Sequence, residues 1–194
     1  MTDLTLMRHF RTAWNEEGRL QGRTDVPLSE CGRNQAGAVR PTAEIAAATW
    51  VSSPLARAVE TARLLGANPF IESRLIEAGW GDWEGMTLPD IRRSLGRDIP
   101  GVDYPDIEFC PPGGESGRSV QDRLKSWLVG LGTSGKPIVA VTHKGVIQAA
   151  LSMAFPDAAV NRLTTIEAGS FHRFRVGPRS ELFAQELDSE LTGE

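Results

Sequence analysis

Two apolar runs that each end on a histidine constrain this chain more than any other feature. Leu4-Thr5-Leu6-Met7 leads into Arg8-His9, and Val139-Ala140-Val141-Thr142 leads into His143. Both runs read as buried strands. In open α/β sheets, ligands bind outside the carboxyl ends of the strands. The chain has three histidines, and two of them fall at such ends. Two imidazoles among clustered arginines suit one task well, which is to take a phosphoryl group onto nitrogen and pass it on.

The pattern between these runs alternates strand and helix. Residues 29–47 read as a helix opened by Ser29 as N-cap, and Arg40-Pro41 should kink it or split it in two. Thr49–Ser52 is a second strand, followed by a helix over 54–66 with Ser53 as cap and Pro54 in the first position. Further strands are expected at 69–71 and 137–142, and helices at 87–95, 118–131 and 145–155, the last stopped by Pro156. The segment 97–117 reads as a long functional loop. The alternating stretches 171–176 and 182–187 suggest antiparallel edge strands, with His172 facing outward, and the acidic tail from Asp188 should fray. The expected architecture is a single domain over 1–194 with an α/β fold. It is a three-layer sandwich with a mostly parallel central sheet and helices on both faces.

Composition narrows the function. A net charge of −4 argues against a nucleic-acid partner, so any anion site must be built from a few local arginines. Cys31 and Cys110 have no metal-ligand spacing, and no run is long and apolar enough to span a membrane. The reading is cytoplasmic, without metal or other cofactor. The carboxylates Asp25, Asp82, Asp103 and Asp106 show no paired spacing that would hold a cation.

A phosphohistidine route needs a neutral imidazole as nucleophile, cationic donors around the phosphoryl oxygens, and an acid for the leaving oxygen. Arg8, Arg57 and His143 suit the cage, and the cage would depress the pKa of His9. Glu77 suits the acid, with Glu84 in the same loop as its competitor. Trp80 and Trp83 read as pocket wall or core, and Arg92, Arg93 and Arg97 as a solvated helix face.

These segments resemble the histidine phosphatase superfamily, also called phosphoglycerate mutase-like. The opening block appears as Arg8-His9-Phe10, Thr12, Trp14-Asn15, Gln21-Gly22, Asp25-Val26-Pro27-Leu28-Ser29 and Gly32-Arg33-Asn34-Gln35-Ala36. The second block runs from Ser53-Pro54-Leu55-Ala56-Arg57 to Thr61-Ala62. Leu75-Ile76-Glu77, Gly81-Asp82-Trp83-Glu84-Gly85, Pro112–Ser116 and Val141-Thr142-His143 complete the ordered set. The resemblance implies His9 as phosphorylated nucleophile, Arg8, Arg57 and His143 as phosphate ligands, and Glu77 as proton donor. It implies substrate contacts from Thr12, Asn15, Gln21, Gly22 and Lys144. Three positions depart from the pattern: Phe10 and Lys144 replace glycines, and Arg11 stands where Glu or Gln is common. A phenylalanine at position 10 would be strained if that backbone needed positive φ.

The expected activity is metal-independent hydrolysis of a small phosphate monoester through a phosphohistidine, in the compact phosphatase branch. A bisphosphoglycerate-dependent phosphoglycerate mutase is the alternative within the superfamily. The short interval between Glu77 and His143 disfavours it, because a mutase must shield its phosphohistidine from water. A non-catalytic phosphate-binding module is the alternative outside enzymology. A homodimer is left open.

Overall fold

The computed structural model describes residues 1–96, 107–132, 135–155 and 166–189. Its centre is a six-stranded sheet in the order β3-β2-β4-β1-β5-β6. The strands are β1 (Thr2–Arg8), β2 (Thr49–Ser52), β3 (Phe70–Ile71), β4 (Ile138–Thr142), β5 (Phe171–Val176) and β6 (Leu182–Ser189). The first four in sequence run parallel, and β5 and β6 add antiparallel on the far side of β1. Alternation along each strand sorts side chains between two cores. Leu4 and Leu6 of β1, with Ile138 and Ala140 of β4, face one core, which α6 (Gly117–Val129) and α7 (Lys144–Ala154) cover. Met7, Val139 and Val141 face the other, beneath α2 (Glu30–Ala38), α3 (Ala43–Ala47) and α4 (Ala56–Leu64). The expected layers, with helices on both faces of the sheet, are therefore present.

This arrangement makes the functional end of the sheet. The chain leaves β1 toward the α2–α4 face and leaves the adjacent β4 toward the α6–α7 face. Neighbouring parallel strands whose connections diverge open a crevice at their carboxyl ends. Arg8 and Thr142 are register partners at that end, and each strand delivers its histidine one residue later.

Local chemistry sets the helix boundaries. Ser29 caps α2 by accepting from the Gly32 N–H at 3.0 Å, and Thr42 caps α3 the same way from Ile45 at 3.4 Å. Pro41 lies between them and splits the expected long helix. A one-turn helix, α1 (Ala13–Glu16), starts on a reciprocal capping box between Thr12 and Asn15. It is too short for a periodic signal. The remaining helix, α5 (Leu88–Leu95), begins on Thr87 and ends on the left-handed Gly96. Arg93 of that helix is exposed and paired with Asp90 at 2.8 Å. Arg97, Asp103, Asp106, Pro156, the first ten residues of the 97–117 segment and the tail from residue 190 lie outside the described residues.

Two expectations need correction. The helix after β2 begins at Ala56, with Leu55 and not Ser53 as its cap residue. His172 is fully buried and does not face outward, because its pairing with Leu6 puts it on the sheet face that α6 and α7 cover.

Phe10 adopts no positive φ and packs into the α2–α4 core at 6% exposure. Room for its ring comes from Gly169, whose φ is +82° and where an added Cβ would lie 2.5 Å from Phe10 Cε1. The Gly169→Ala variant is expected to lose about 2 kcal/mol of stability from overpacking and left-handed strain together. Urea unfolding checks this, and Phe10→Leu in the same background should recover part of the loss.

Candidate active site

His9 follows β1, and its backbone N–H donates to the Thr142 carbonyl at 3.0 Å, so the sheet ladder continues into the site. Its ring is buried, with Nδ1 2.6 Å from the Phe10 carbonyl oxygen. A carbonyl only accepts, so Nδ1 carries the hydrogen and Nε2 keeps the lone pair. The ring centroid of His143 lies 5.1 Å away at an interplanar angle of 59°. His143 Nε2 is 2.7 Å from the Ser53 hydroxyl, and its Nδ1 is buried without a partner in the protein. Ser53 Oγ also accepts from the Leu55 N–H at 3.4 Å, so one hydroxyl serves both the turn into α4 and the second histidine.

Arg57, on the second residue of α4, is fully buried. Its Nη1 donates to the Thr24 carbonyl at 2.9 Å and its Nη2 to the Gly22 carbonyl at 2.7 Å, leaving Nε without a protein partner. Arg8 is partly buried, donates from Nη1 to the Ile166 carbonyl at 2.7 Å, and likewise leaves Nε unpartnered. Both guanidiniums are therefore gripped by carbonyls on one side, with N–H groups left over for an anion.

The loop that grips Arg57 is itself clasped. Glu84 accepts from the N–H groups of Arg23 and Thr24, both at 2.8 Å, from Trp80 N–H at 3.1 Å and from the Thr24 hydroxyl. Gly22 is left-handed with φ +55°, and any Cβ there would collide with the Glu84 carboxylate. Asp25 closes the loop onto α4 by accepting from the Ala56 N–H at 2.8 Å, which supplies the cap that Leu55 lacks. The sequence shows Asp25 as part of a motif and as a carboxylate without cation spacing, and its capping partner is 31 residues away.

The two competing carboxyls separate by environment. Burial opposes ionisation of Glu84, but the hydrogen bonds it accepts from Thr24, Arg23 and Trp80 hold it below its ordinary value. Burial raises Glu77 above its ordinary value, outweighing the Ala78 N–H bond and the fields of Arg57, Arg8 and Arg123. Glu77 also accepts from the Gly145 N–H at 3.1 Å, in the first turn of α7. Glu84 clasps the loop through the N–H groups it accepts from, whereas burial shifts Glu77 toward keeping its proton.

The other expected contacts are spread around this centre. Thr12 and Asn15 engage each other in the capping box, and the Gln21 amide nitrogen donates to the Thr12 hydroxyl. Gln21 Oε1 remains buried without a partner. Gly22 contributes its carbonyl to Arg57, and Lys144 is exposed on the first residue of α7. Trp83 is buried and stacks with the partly buried Trp80 at 6.5 Å between centroids, so the pair forms wall and core. Glu115, from the Pro112–Ser116 motif, holds Arg123 in a two-pronged ion pair at 3.0 and 3.1 Å and also reaches Arg23. Among the described residues, no cluster of His, Cys, Asp and Glu is arranged to hold a metal, and no helix is long and apolar enough to cross a membrane.

Burial, then Arg8 and Arg57, push His9 well below its ordinary value. Burial, then Arg57 and His9, do the same to His143. Unfolded, each ring takes up a proton below about pH 6.5, whereas the folded protein keeps both neutral. Stability should therefore fall on acidification below that pH, by about 1.4 kcal/mol per pH unit for each ring. Glu77 acts with the opposite sign. Its contribution is full below the ordinary carboxylate range and is lost as the pH rises through its raised folded value. Urea unfolding of wild type and His143→Gln between about pH 7 and 5.5 isolates the histidine effect. The variant should show a markedly shallower loss, since one ring is gone while Glu77 is common to both.

A profile of the histidine phosphatase superfamily (branch 1) matches residues 4–183. The chain is 39% identical over 161 residues to a glucosyl-3-phosphoglycerate phosphatase of Mycolicibacterium vanbaalenii, covering 75% of this chain and 71% of that protein. It is 31% identical over 189 residues to phosphoglycerate mutase-like protein 4 of Arabidopsis thaliana, covering 89% and 80%. The native structure of a mycobacterial glucosyl-3-phosphoglycerate phosphatase superimposes with a TM-score of 0.75 at 30% identity, covering 98% and 99% of the two chains.

Proposed function

This chain belongs to the histidine phosphatase superfamily, and we propose that it hydrolyses a small phosphorylated metabolite through a phosphohistidine on His9. The observation that carries the reading is the tautomer of His9. The Phe10 carbonyl holds Nδ1–H, leaving the Nε2 lone pair free beside two guanidiniums. Relatives named for glucosyl-3-phosphoglycerate hydrolysis support a phosphorylated small molecule as the substrate class.

In the first step the Nε2 lone pair forms the P–N bond while the P–O ester bond breaks. The Glu77 carboxyl gives its proton to the leaving oxygen. In the second step water attacks phosphorus, the Glu77 carboxylate takes the water proton, and the P–N electron pair returns to Nε2. Arg8 and Arg57 offer their unpartnered N–H groups to the phosphoryl oxygens, where preorganised donors stabilise developing charge. With Ser53 donating to Nε2, His143 offers Nδ1–H to the same group. These cations supply the charge that a metal would otherwise bring, and we propose that the reaction needs none. Thr12, Asn15, Gln21, Gly22 and Lys144 are proposed to shape the mouth. The exposed free thiols of Cys31 and Cys110 fit a reducing cytoplasm.

His9→Ala should abolish turnover while retaining the fold, and acid-labile label from a phosphorylated substrate should be trapped on wild type alone. Retention of even a tenth of wild-type turnover would remove His9 from the nucleophile role. Glu77→Gln should slow sugar phosphates by about 10²–10⁴-fold, the usual size of general-acid catalysis, and aryl phosphates far less. A good leaving group needs little protonation in the transition state. Equal losses on both substrate types would move the acid elsewhere. EDTA should leave the wild-type rate unchanged.

A further inference from the structure

We propose that Glu115 is a positioning residue for Glu77, fixing from both ends the loop that carries the proposed acid. The inference rests on the phosphatase reading above and gives the Pro112–Ser116 motif a part in the reaction.

The acid sits on a segment with little regular structure. A single 3₁₀ turn, Ser73–Leu75, precedes it, and the next such turn is Gly81–Trp83. Placement of the Glu77 carboxyl therefore depends on what grips the backbone on either side. Upstream, the Arg74 carbonyl accepts from Arg123 Nη1 and the Leu75 carbonyl from the Thr142 hydroxyl at 2.8 Å. Downstream, the Gly79 carbonyl accepts from the Glu115 N–H at 2.9 Å.

Glu115 governs the grips at Arg74 and Gly79. Its carboxylate accepts from Arg123 Nε at 3.0 Å and Nη2 at 3.1 Å, which aims Nη1 at the Arg74 carbonyl. The two side chains are only 12% and 15% exposed, and a bidentate pair of this kind fixes geometry as well as charge. Glu115 is itself held in place. Ser116 caps α6 by accepting from the Ser119 N–H at 3.2 Å, and the segment before it presses against the acid-bearing loop. A Cβ at Gly114 would lie 2.6 Å from the Gly79 carbonyl oxygen, and one at Gly81 would lie 2.1 Å from that of Pro112. Glycine at both positions lets the segments approach closely enough for the Glu115 N–H to reach Gly79.

The carboxylate has a second partner. Arg23 Nη2 lies 3.1 Å from Glu115 Oε2, and Arg23 stands between Gly22 and Thr24, whose carbonyls hold Arg57. One carboxylate thus ties the loop bearing the acid to the loop that grips a guanidinium of the site. Arg123 also pulls Glu77 toward ionisation, and its pairing with Glu115 offsets that pull. Loss of the Glu115 charge weakens Glu77 as an acid twice over, by releasing the Arg74 carbonyl and by leaving Arg123 unbalanced.

The test compares phenyl phosphate with p-nitrophenyl phosphate, which share a ring and differ in how much protonation the leaving oxygen needs. Their kcat/KM values read the transition state in which the P–O bond breaks. Glu115→Gln should lower kcat/KM for phenyl phosphate about tenfold, a part of what general-acid catalysis supplies, and for p-nitrophenyl phosphate far less. In a Glu77→Gln background the same change should leave the ratio of the two esters where Glu77→Gln alone puts it. Arg123→Lys keeps the charge but loses the fork, should move the ratio in the same direction, and decides the matter if Glu115→Gln does not fold. Equal losses on both esters, no loss on either, or a further fall of the ratio in the Glu77→Gln background overturn the assignment. If Glu77→Gln itself leaves the ratio at its wild-type value, the inference falls, while acid-labile label on His9 would still uphold the phosphatase reading. Hydrolysis of neither ester by wild type overturns both.

Discussion

Burying the Arg57 guanidinium is the commitment on which the rest of the site depends. A charge removed from water is tolerated only where hydrogen bonds and opposite charge replace its hydration. The protein supplies part of that replacement through the carbonyls of Gly22 and Thr24 and the fields of Glu77, Asp25 and Glu84. It withholds the rest, since Nε finds no protein partner. The loop 21–25 exists in its observed shape to present those two carbonyls. Its left-handed glycine, its Glu84 clasp and its Asp25 tie to α4 all follow from that requirement.

The same charge tunes the neighbouring groups without contact. Burial, with two guanidiniums close by, makes the protonated rings unfavourable, which leaves the proposed nucleophile a free lone pair. The fields also pull Glu77 toward ionisation, but its burial dominates and keeps the proton within reach. The proposed acid and the proposed nucleophile are thus shifted in opposite senses by one buried environment. A Glu77 placed as Glu84 is, with several donors on its oxygens, would be shifted the other way, toward its ionised form.

What the sequence disclosed divides along the range of the interactions. Strands ending on His9 and His143, the helix cap Ser29 and the split at Pro41 are local chemistry and are legible residue by residue. The layered parallel sheet follows from the alternation of those elements. The partnerships were hidden. Ser53 reads as a helix cap in isolation, and only the 90-residue return of the chain to His143 changes its use. Asp25 and Glu84 acquire their roles from partners 31 and about 60 residues away. His172 alternates like an outward residue, but it shares a face with Leu6, and α6 and α7 cover that face. Periodicity reports which side a residue faces, not whether that side is covered.

Phe10 shows how a departure from a motif is absorbed. A bulky ring directly after the nucleophile would perturb His9 if it crowded the pocket, since the Phe10 carbonyl sets the histidine tautomer. Instead the ring turns into the α2–α4 core, its amide ties to Thr61, and Thr61 in turn donates to the Arg57 carbonyl at 2.8 Å. The backbone bearing the nucleophile is therefore linked to the helix bearing Arg57 through one buried hydroxyl. Gly169 supplies the space on the other side of the ring. The substitution that looked most disruptive in the sequence thereby becomes a packing contact that stiffens the segment behind the reacting nitrogen.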